Sequence, residues 1–391
     1  MRSPAWKSSL LPEREMQRLR QWTTSHTHTL PDGHFTLIRL PGVHPFGPAQ
    51  QASFEALRRI TAARVCVLGP GTAPLGLWAA RSGARVVGWY DSLAEALATE
   101  ATFAANNQAP PTLTCERGLV PSLVGSCDLT VLHLPRGREL QARQLQMAEL
   151  TLQPGGKLVF TGAKNEGFGS ALAEAKARFG QAGVVARKGG YHAALAIRSS
   201  TDLPDLHDGC RSYTILLDGE ETELVSCTGA FAADRLDAGA AALIAGMGIE
   251  PGTSVLDLGC GTGLVGLAAL RLGAQVTGTD VSAAAIASSR RTWAANGHPD
   301  AVAQLTVGAS SIPGGTVQTV VTNPPFHRGR DTDFEVAQLF VKEAARVLSS
   351  GGELYLVANA FLDYAKWLER EFSSVSVAWQ DNRFRVWHAR R

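Results

Sequence analysis

Two hydrophobic periods alternate along this chain. Short apolar or β-branched runs such as SVLDL (254–258), QVTGTD (275–280), TVQTVVTN (316–323) and GGELYLVAN (351–359) read as strands. Between them lie LVGLAALRLG (264–273), AAAIASSRRTWAANG (283–297) and FEVAQLFVKEAARVL (334–348), which are alanine- or leucine-rich and read as helices, the second closed by Gly297. Alternation of this kind predicts a parallel sheet with helices on both faces. YTILLDGEETELVS (213–226) reads as a hairpin turning at Asp218-Gly219.

The pattern occurs twice. RVCVLGPGTAPLGLWAARSGARVVGWYDS (64–92) falls on SVLDLGCGTGLVGLAALRLGAQVTGTDVS (254–282) at a constant offset of 190. Gly69, Gly71, Thr72, Gly76, Gly83, Ala84 and Gly88 match Gly259, Gly261, Thr262, Gly266, Gly273, Ala274 and Gly278, and Asn106 matches Asn296. LQPGGKL (152–158) lies over LSSGGEL (348–354) at an offset of 196. A duplication follows, with a linker in the polar, breaker-rich SSTDLPDLHDG (199–209). The first half also reads as carrying an N-terminal lead of its own.

A length of 391 residues favours two domains over one core. Apolar residues at 45% and charged residues at 18% exclude wholesale disorder. With no bilayer-spanning apolar run and no signal-peptide core before the first charges, a cytoplasmic protein with no membrane partner is expected. Cys66, Cys115, Cys127, Cys210, Cys227 and Cys260 show no zinc spacing, so no metal is expected and all six are read as reduced. The net charge of +2 conceals an asymmetry: residues 1–200 carry 22 basic and 13 acidic side chains, leaving 15 and 22 for the remainder. A basic first half points to an anionic partner, although the same charges can be spread over a solvated surface.

The candidate chemistry is concentrated in the second copy. VLDLGCGTG puts Asp257 near the end of a strand and Gly259, Gly261 and Gly263 in the loop before a helix, where backbone can approach a ligand and unpaired N–H groups face it. Asp280 ends the next strand, where a carboxylate can bind both ribose hydroxyls of a nucleoside cofactor. Gly261 to Gly266 also satisfies the dinucleotide fingerprint, leaving a nicotinamide dehydrogenase open, but Asp257 upstream of the glycines favours S-adenosylmethionine. The first copy has Val67 for Asp257, Pro70 and Ala73 for Cys260 and Gly263, and Tyr90 for Asp280, and is read as having lost its cofactor.

VVTNPPFHRG (320–329) decides between the cofactors. Two prolines cannot donate to a ladder, so they end the strand and hold a stiff turn beside the crevice. Acceptors on an exocyclic amine, the Asn323 side-chain oxygen and the Pro324 carbonyl, would favour a pyramidal nitrogen whose lone pair faces a methyl donor, with Pro325 stiffening the turn and Phe326 stacking on the base. His327 reads as either a substrate contact or an exposed loop residue. His133-Leu134-Pro135-Arg136, the aligned segment of the first copy, lacks both the Asn and the aromatic residue.

VLDLGCGTG, Asp280, NPPFH, GGELYLVANAFLDY and NRFRVWHA together resemble the bacterial ribosomal RNA small subunit methyltransferase C family, most closely over residues 229–391. The resemblance implies an α/β fold of two tandem doubly wound, Rossmann-like methyltransferase domains: a degenerate one at 1–200 that binds RNA or supports the fold, and a catalytic one at 210–391. It implies methyl transfer from S-adenosylmethionine to the N2 amine of a guanine in 16S rRNA, with ribosomal RNA or the small subunit as partner and a monomer favoured. Gly229, Phe231, Asp237 and Gly239 are similar to the family's G-x-F and L-D-x-G lead-in, which the resemblance implies borders the cofactor and substrate pocket, with Phe231 among the cofactor-binding residues, and Ala309-Ser310 are implied to stand near the adenine. This chain departs from the family at Ser311 and at Gln318-Thr319. Alternatives are an adenine-N6 or glutamine-N5 methyltransferase using the same clamp, or a non-catalytic RNA-binding protein.

Overall fold

In a computed structural model, residues 7–30, 33–118, 120–206, 208–217, 219–230, 236–325 and 331–391 are described. The chain divides into two compact units, Met1–Asp208 and Gly209–Arg391. Among the described residues no helix is long and apolar enough to cross a membrane.

In the first unit α1 (Glu13–Arg20) precedes a hairpin of β1 (Thr24–Leu30) and β2 (Gly33–Arg39), then α2 (Pro48–Leu57). A seven-stranded sheet follows: β3 (Arg64–Leu68), β4 (Arg85–Tyr90), β5 (Thr112–Cys115), β6 (Cys127–His133), β7 (Leu152–Ala163), β8 (Gln181–Lys188) and β9 (Tyr191–Ile197). Helices α3 (Ala73–Arg81), α4 (Leu93–Ala105), α5 (Arg138–Thr151) and α6 (Gly169–Phe179) connect its strands.

The second unit repeats this plan. A hairpin, β10 (Cys210–Leu217) and β11 (Glu220–Cys227), and α7 (Ala238–Gly246) lead into β12 (Ser254–Leu258), α8 (Leu264–Arg271), β13 (Gln275–Asp280), α9 (Ala283–Ala295) and β14 (Val302–Leu305). Then come β15 (Val317–Thr322), α10 (Asp331–Val347), β16 (Leu348–Asn359), α11 (Ala365–Leu368), β17 (Ser374–Gln380) and β18 (Phe384–Arg390). The strand orders are β5-β4-β3-β6-β7-β9-β8 and β14-β13-β12-β15-β16-β18-β17, the same permutation.

Neither sheet is wholly parallel, in contrast to the pattern-based expectation. β18 runs antiparallel to both β16 and β17. The cause is local: β17 and β18 are joined by a tight turn in which the Asp381 carboxylate accepts the backbone N–H groups of Arg383 (2.8 Å) and Phe384 (2.6 Å), and a connection that short permits only an antiparallel pair.

The duplication also extends further than the matched sequence. Asn106 and Asn296 do one job in both units: each donates through Nδ2 to its hairpin, at Thr36 O (2.7 Å) or Glu223 O (2.7 Å), and each accepts from an arginine, Arg81 or Arg271. Thr102 and Thr292 likewise accept Ile38 N and Val225 N. The segment read as a separate lead is therefore, over Thr24–Arg39, the counterpart of the β10–β11 hairpin. Its anchors contact backbone, so the hairpin sequence was free to diverge.

One further expectation is corrected. Cys210 and Cys227 are joined by a disulfide, because the β10–β11 register places them directly opposite one another. Spacing rules for metal ligands do not detect cross-strand partners. Cys66, Cys115, Cys127 and Cys260 are free thiols.

Candidate active site

The parallel register sets Leu258 beside Thr322, so the glycine loop after β12 and the Asn-Pro-Pro segment after β15 leave neighbouring central strands at one carboxyl edge. The sheet order reverses here, β13 and β14 lying to one side and β15 and β16 to the other, and open α/β sheets bind ligands at such a point. Thr322 ties the two segments together by donating to Leu258 O at 2.7 Å.

The loop itself is well fixed. Gly259 N and Cys260 N donate to Thr279 O (2.8 and 3.0 Å), and the Trp293 indole N–H donates to Gly263 O (2.8 Å). Asp257 is buried at 2% exposure and its Oδ2 accepts Gly266 N (2.8 Å), which holds the first turn of α8 against β12. Burial pushes its carboxyl up to about 7, with the nearby Asp280 charge adding to the rise and the Gly266 bond opposing it. Asp280 is partly exposed and accepts Gly261 N (3.1 Å) and Ser282 N (2.9 Å).

At Gly261 a built Cβ meets no atom of the described residues within 4 Å. At the equivalent Gly71 a Cβ would lie 2.7 Å from Gln50 Nε2 and 3.3 Å from His44 Cβ. Glu95, which is 5% exposed, accepts Gly71 N (2.9 Å) and bonds His44 Nδ1 (3.2 Å), while Gln50 donates to Gly71 O (3.0 Å). The Glu95 hydrogen bond raises the His44 pKa. In the first copy the space beside the loop glycine is filled by the unit's own side chains; in the second no described side chain fills it and the Asp280 carboxylate stands at the loop, a fit for a ribose-bearing cofactor.

Asn323 is half-buried and its Nδ2 donates to Asp237 Oδ1 at 3.0 Å. Its counterpart His133 is buried: Nδ1 donates to Pro70 O (3.0 Å) and Nε2 accepts from Ser53 (2.9 Å). Burial lowers the His133 pKa to about 4, so this imidazole stays neutral. It serves the fold.

The methyltransferase small domain model matches residues 221–388. A ribosomal RNA small subunit methyltransferase C of Pseudomonas aeruginosa (strain LESB58) is 35% identical over 271 residues, covering 68% of this chain and 80% of the relative. Its namesake in Stutzerimonas stutzeri (strain A1501) is 34% identical over 285 residues, covering 71% and 83%. The chain belongs to the ribosomal RNA small subunit methyltransferase C family. A solved structure of a T. thermophilus 16S rRNA N2 G1207 methyltransferase in complex with AdoMet and guanosine superposes with a TM-score of 0.79 at 28% identity, covering 94% of this chain and 98% of that one.

Within this chain, Asp257, Gly259, Gly261, Gly263, Asp280, Asn323, Pro324 and Pro325 gather at one edge of the second sheet, Pro324 buried and Pro325 exposed. Phe231, Phe326 and His327 lie outside the described residues. Ala309 and Ser310 are both fully buried, the Ser310 hydroxyl bonded to Thr306 Oγ1 (2.8 Å) and Ala309 O accepting from Arg346 (2.6 Å). Gln318 accounts for one departure from the family: its Oε1 accepts Ser254 N (2.9 Å), as the Asp128 carboxylate accepts Arg64 N (2.8 Å) in the first unit. Its role is to anchor the start of a strand. Sequence reasoning missed the Trp293 and Thr322 bonds, which follow from chain segments 30 and 64 positions apart.

Proposed function

We infer that this protein transfers the methyl group of S-adenosylmethionine to the exocyclic N2 amine of a guanine in small-subunit ribosomal RNA. The observation that carries this reading is the orientation of Asn323: its Nδ2 is given to Asp237, and among the described residues none donates to its oxygen, at the strand end next to the glycine loop. Asp280 and the backbone around Gly261 would hold the ribose, with Asp257 bracing the loop from beneath. S-adenosylmethionine bound there supplies an electrophilic methyl carbon.

The remaining work belongs to the chain. The base is taken out of its stack to reach the crevice. Asn323 Oδ1 and the Pro324 carbonyl accept the two amine hydrogens, Phe326 stacks on the ring, and the rigid prolines keep both acceptors in register. The N2 lone pair would take the methyl carbon as the sulfonium–carbon bond breaks, leaving S-adenosylhomocysteine, and the methylated, now acidic nitrogen then gives one proton to water, so acceptors are needed there rather than a strong base. The surplus of basic side chains in residues 1–200 supports an RNA-holding role for the first unit. Purified small subunits incubated with labelled S-adenosylmethionine should yield N2-methylguanosine on digestion; label in adenosine or in a ribosomal protein would refute the guanine assignment.

A further inference from the structure

A primary amide presents an oxygen on one side and an NH2 on the other, and rotation by half a turn exchanges them with little change in shape. Only one orientation of Asn323 can accept from a substrate amine. In the other, two N–H groups would face two N–H groups. Something must select the oxygen.

The selecting group lies 86 positions upstream. Asp237 Oδ1 accepts Asn323 Nδ2 at 3.0 Å, and an ionised carboxylate can only accept, so it rejects the exchanged amide. That oxygen is itself held by a second donor, Ala240 N at 2.9 Å, as the N-cap of α7, and Ala241 N donates to Asp237 O at 3.0 Å. The helix therefore fixes the carboxylate, and the carboxylate fixes the amide. Gly239 supplies the space: a Cβ there would stand 3.1 Å from Asn323 Oδ1 and 3.3 Å from Nδ2, tighter than nine in ten real Cβ contacts, so the amide would have to shift. Among the described residues none donates to Asn323 Oδ1.

Resting on the guanine-amine reading, we propose that Asp237 is a positioning residue for methyl transfer: it sets which end of the Asn323 amide faces the substrate, and Gly239 lets the amide lie against α7. Asp and Gly in the L-D-x-G segment thus serve one function together with Asn323. A bond to a charged acceptor also draws the amide N–H outward and leaves more electron density on Oδ1.

The test compares Asp237→Ser with Asp237→Asn in the full-length protein. Serine is a good N-cap and keeps α7, yet is too short to hold Asn323; asparagine keeps an acceptor oxygen in place. For Asp237→Ser we expect unchanged affinity for S-adenosylmethionine and an unchanged KM for the acceptor, with kcat lowered by about 10–100-fold. Asp237→Asn should recover most of that loss. Combined with Asn323→Ala, Asp237→Ser should cause no further fall. A serine variant with normal kcat, or a further fall in the double variant, overturns the proposal.

A second readout does not depend on turnover. The Asn323 side-chain NH2, assigned by its disappearance in Asn323→Ala, should show one proton protected from exchange in the wild type and in Asp237→Asn, and neither in Asp237→Ser. Equal protection in all three also overturns it. Should the wild-type protein methylate adenine or glutamine instead, the guanine reading fails, and the same variants run on that acceptor still decide the role of Asp237.

Discussion

The Asp280 carboxylate accepts the backbone N–H of Gly261 at 3.1 Å, beside a glycine whose Cβ position no described atom approaches within 4 Å. In the first unit the same loop N–H, that of Gly71, is taken by Glu95, which arrives from α4 rather than from the end of β4. Two loops of one ancestry thus differ in what stands beside them. One carboxylate leaves room for a ligand; the other, with His44 and Gln50, closes the space.

That difference predicts a stoichiometry of one S-adenosylmethionine per chain by calorimetry. Asp280→Ala should weaken binding by about 2–4 kcal/mol, the loss of one or two charge-assisted hydrogen bonds. Glu95→Ala should leave both the affinity and the stoichiometry unchanged, and a second equivalent bound by the wild type would contradict the filled first crevice.

On the proposed guanine-amine reading, Asn323→Ala removes an acceptor of the reacting amine and leaves the cofactor contacts in place. The methyl-transfer rate should fall by at least about 100-fold while S-adenosylmethionine affinity stays within a factor of about two. Single-turnover transfer to small subunits, paired with calorimetry, measures both.

Burial lifts the Asp257 carboxyl from an ordinary 3.8 to about 7. The folded protein therefore holds this proton more tightly than the unfolded chain. The associated stability is fully present below about pH 4 and is lost as the pH rises through about 7. Asp257→Asn keeps an acceptor for Gly266 N without the charge. Its unfolding free energy relative to wild type should accordingly rise between those limits, by up to about 4 kcal/mol. Urea titrations across this pH range would show it, and a flat difference would contradict a proton held in the fold.

The Cys210–Cys227 bond closes a loop already closed by a hairpin. Alkylation of the denatured, unreduced protein should label four of the six cysteines, Cys66, Cys115, Cys127 and Cys260. Reduction should lower unfolding free energy by at most about 3 kcal/mol, the chain-entropy value for a loop of this size.

The carboxyl-edge position of the site was legible in the sequence because it obeys local rules. Strand period, helix period and the glycines between them locate β12, α8 and β13, and period 2 puts Asp257 beneath the loop and Asp280 at its rim. The offset of 190 residues exposes the duplication because both copies need the same turns, as Gly69 and Gly259 do with φ of +80° and +78°. Val67 and Tyr90 at the places of Asp257 and Asp280 already mark the first copy as altered.

Whether each crevice is open or filled was left to tertiary structure. Gln50 and His44 reach Gly71 from more than twenty positions away, and no periodicity brings them there. The orientation of Asn323 depends on Asp237 across 86 positions, and the hairpin at Thr24–Arg39 is recognisable as a repeat only through its bonds to Asn106 and Thr102. The antiparallel β18 and the Cys210–Cys227 bond belong with these. Sequence determines backbone conformation residue by residue through short-range sterics and hydrophobic period. Which side chains share a cavity, and which end of an amide points outward, depends on contacts between distant segments that exist only once the chain has packed.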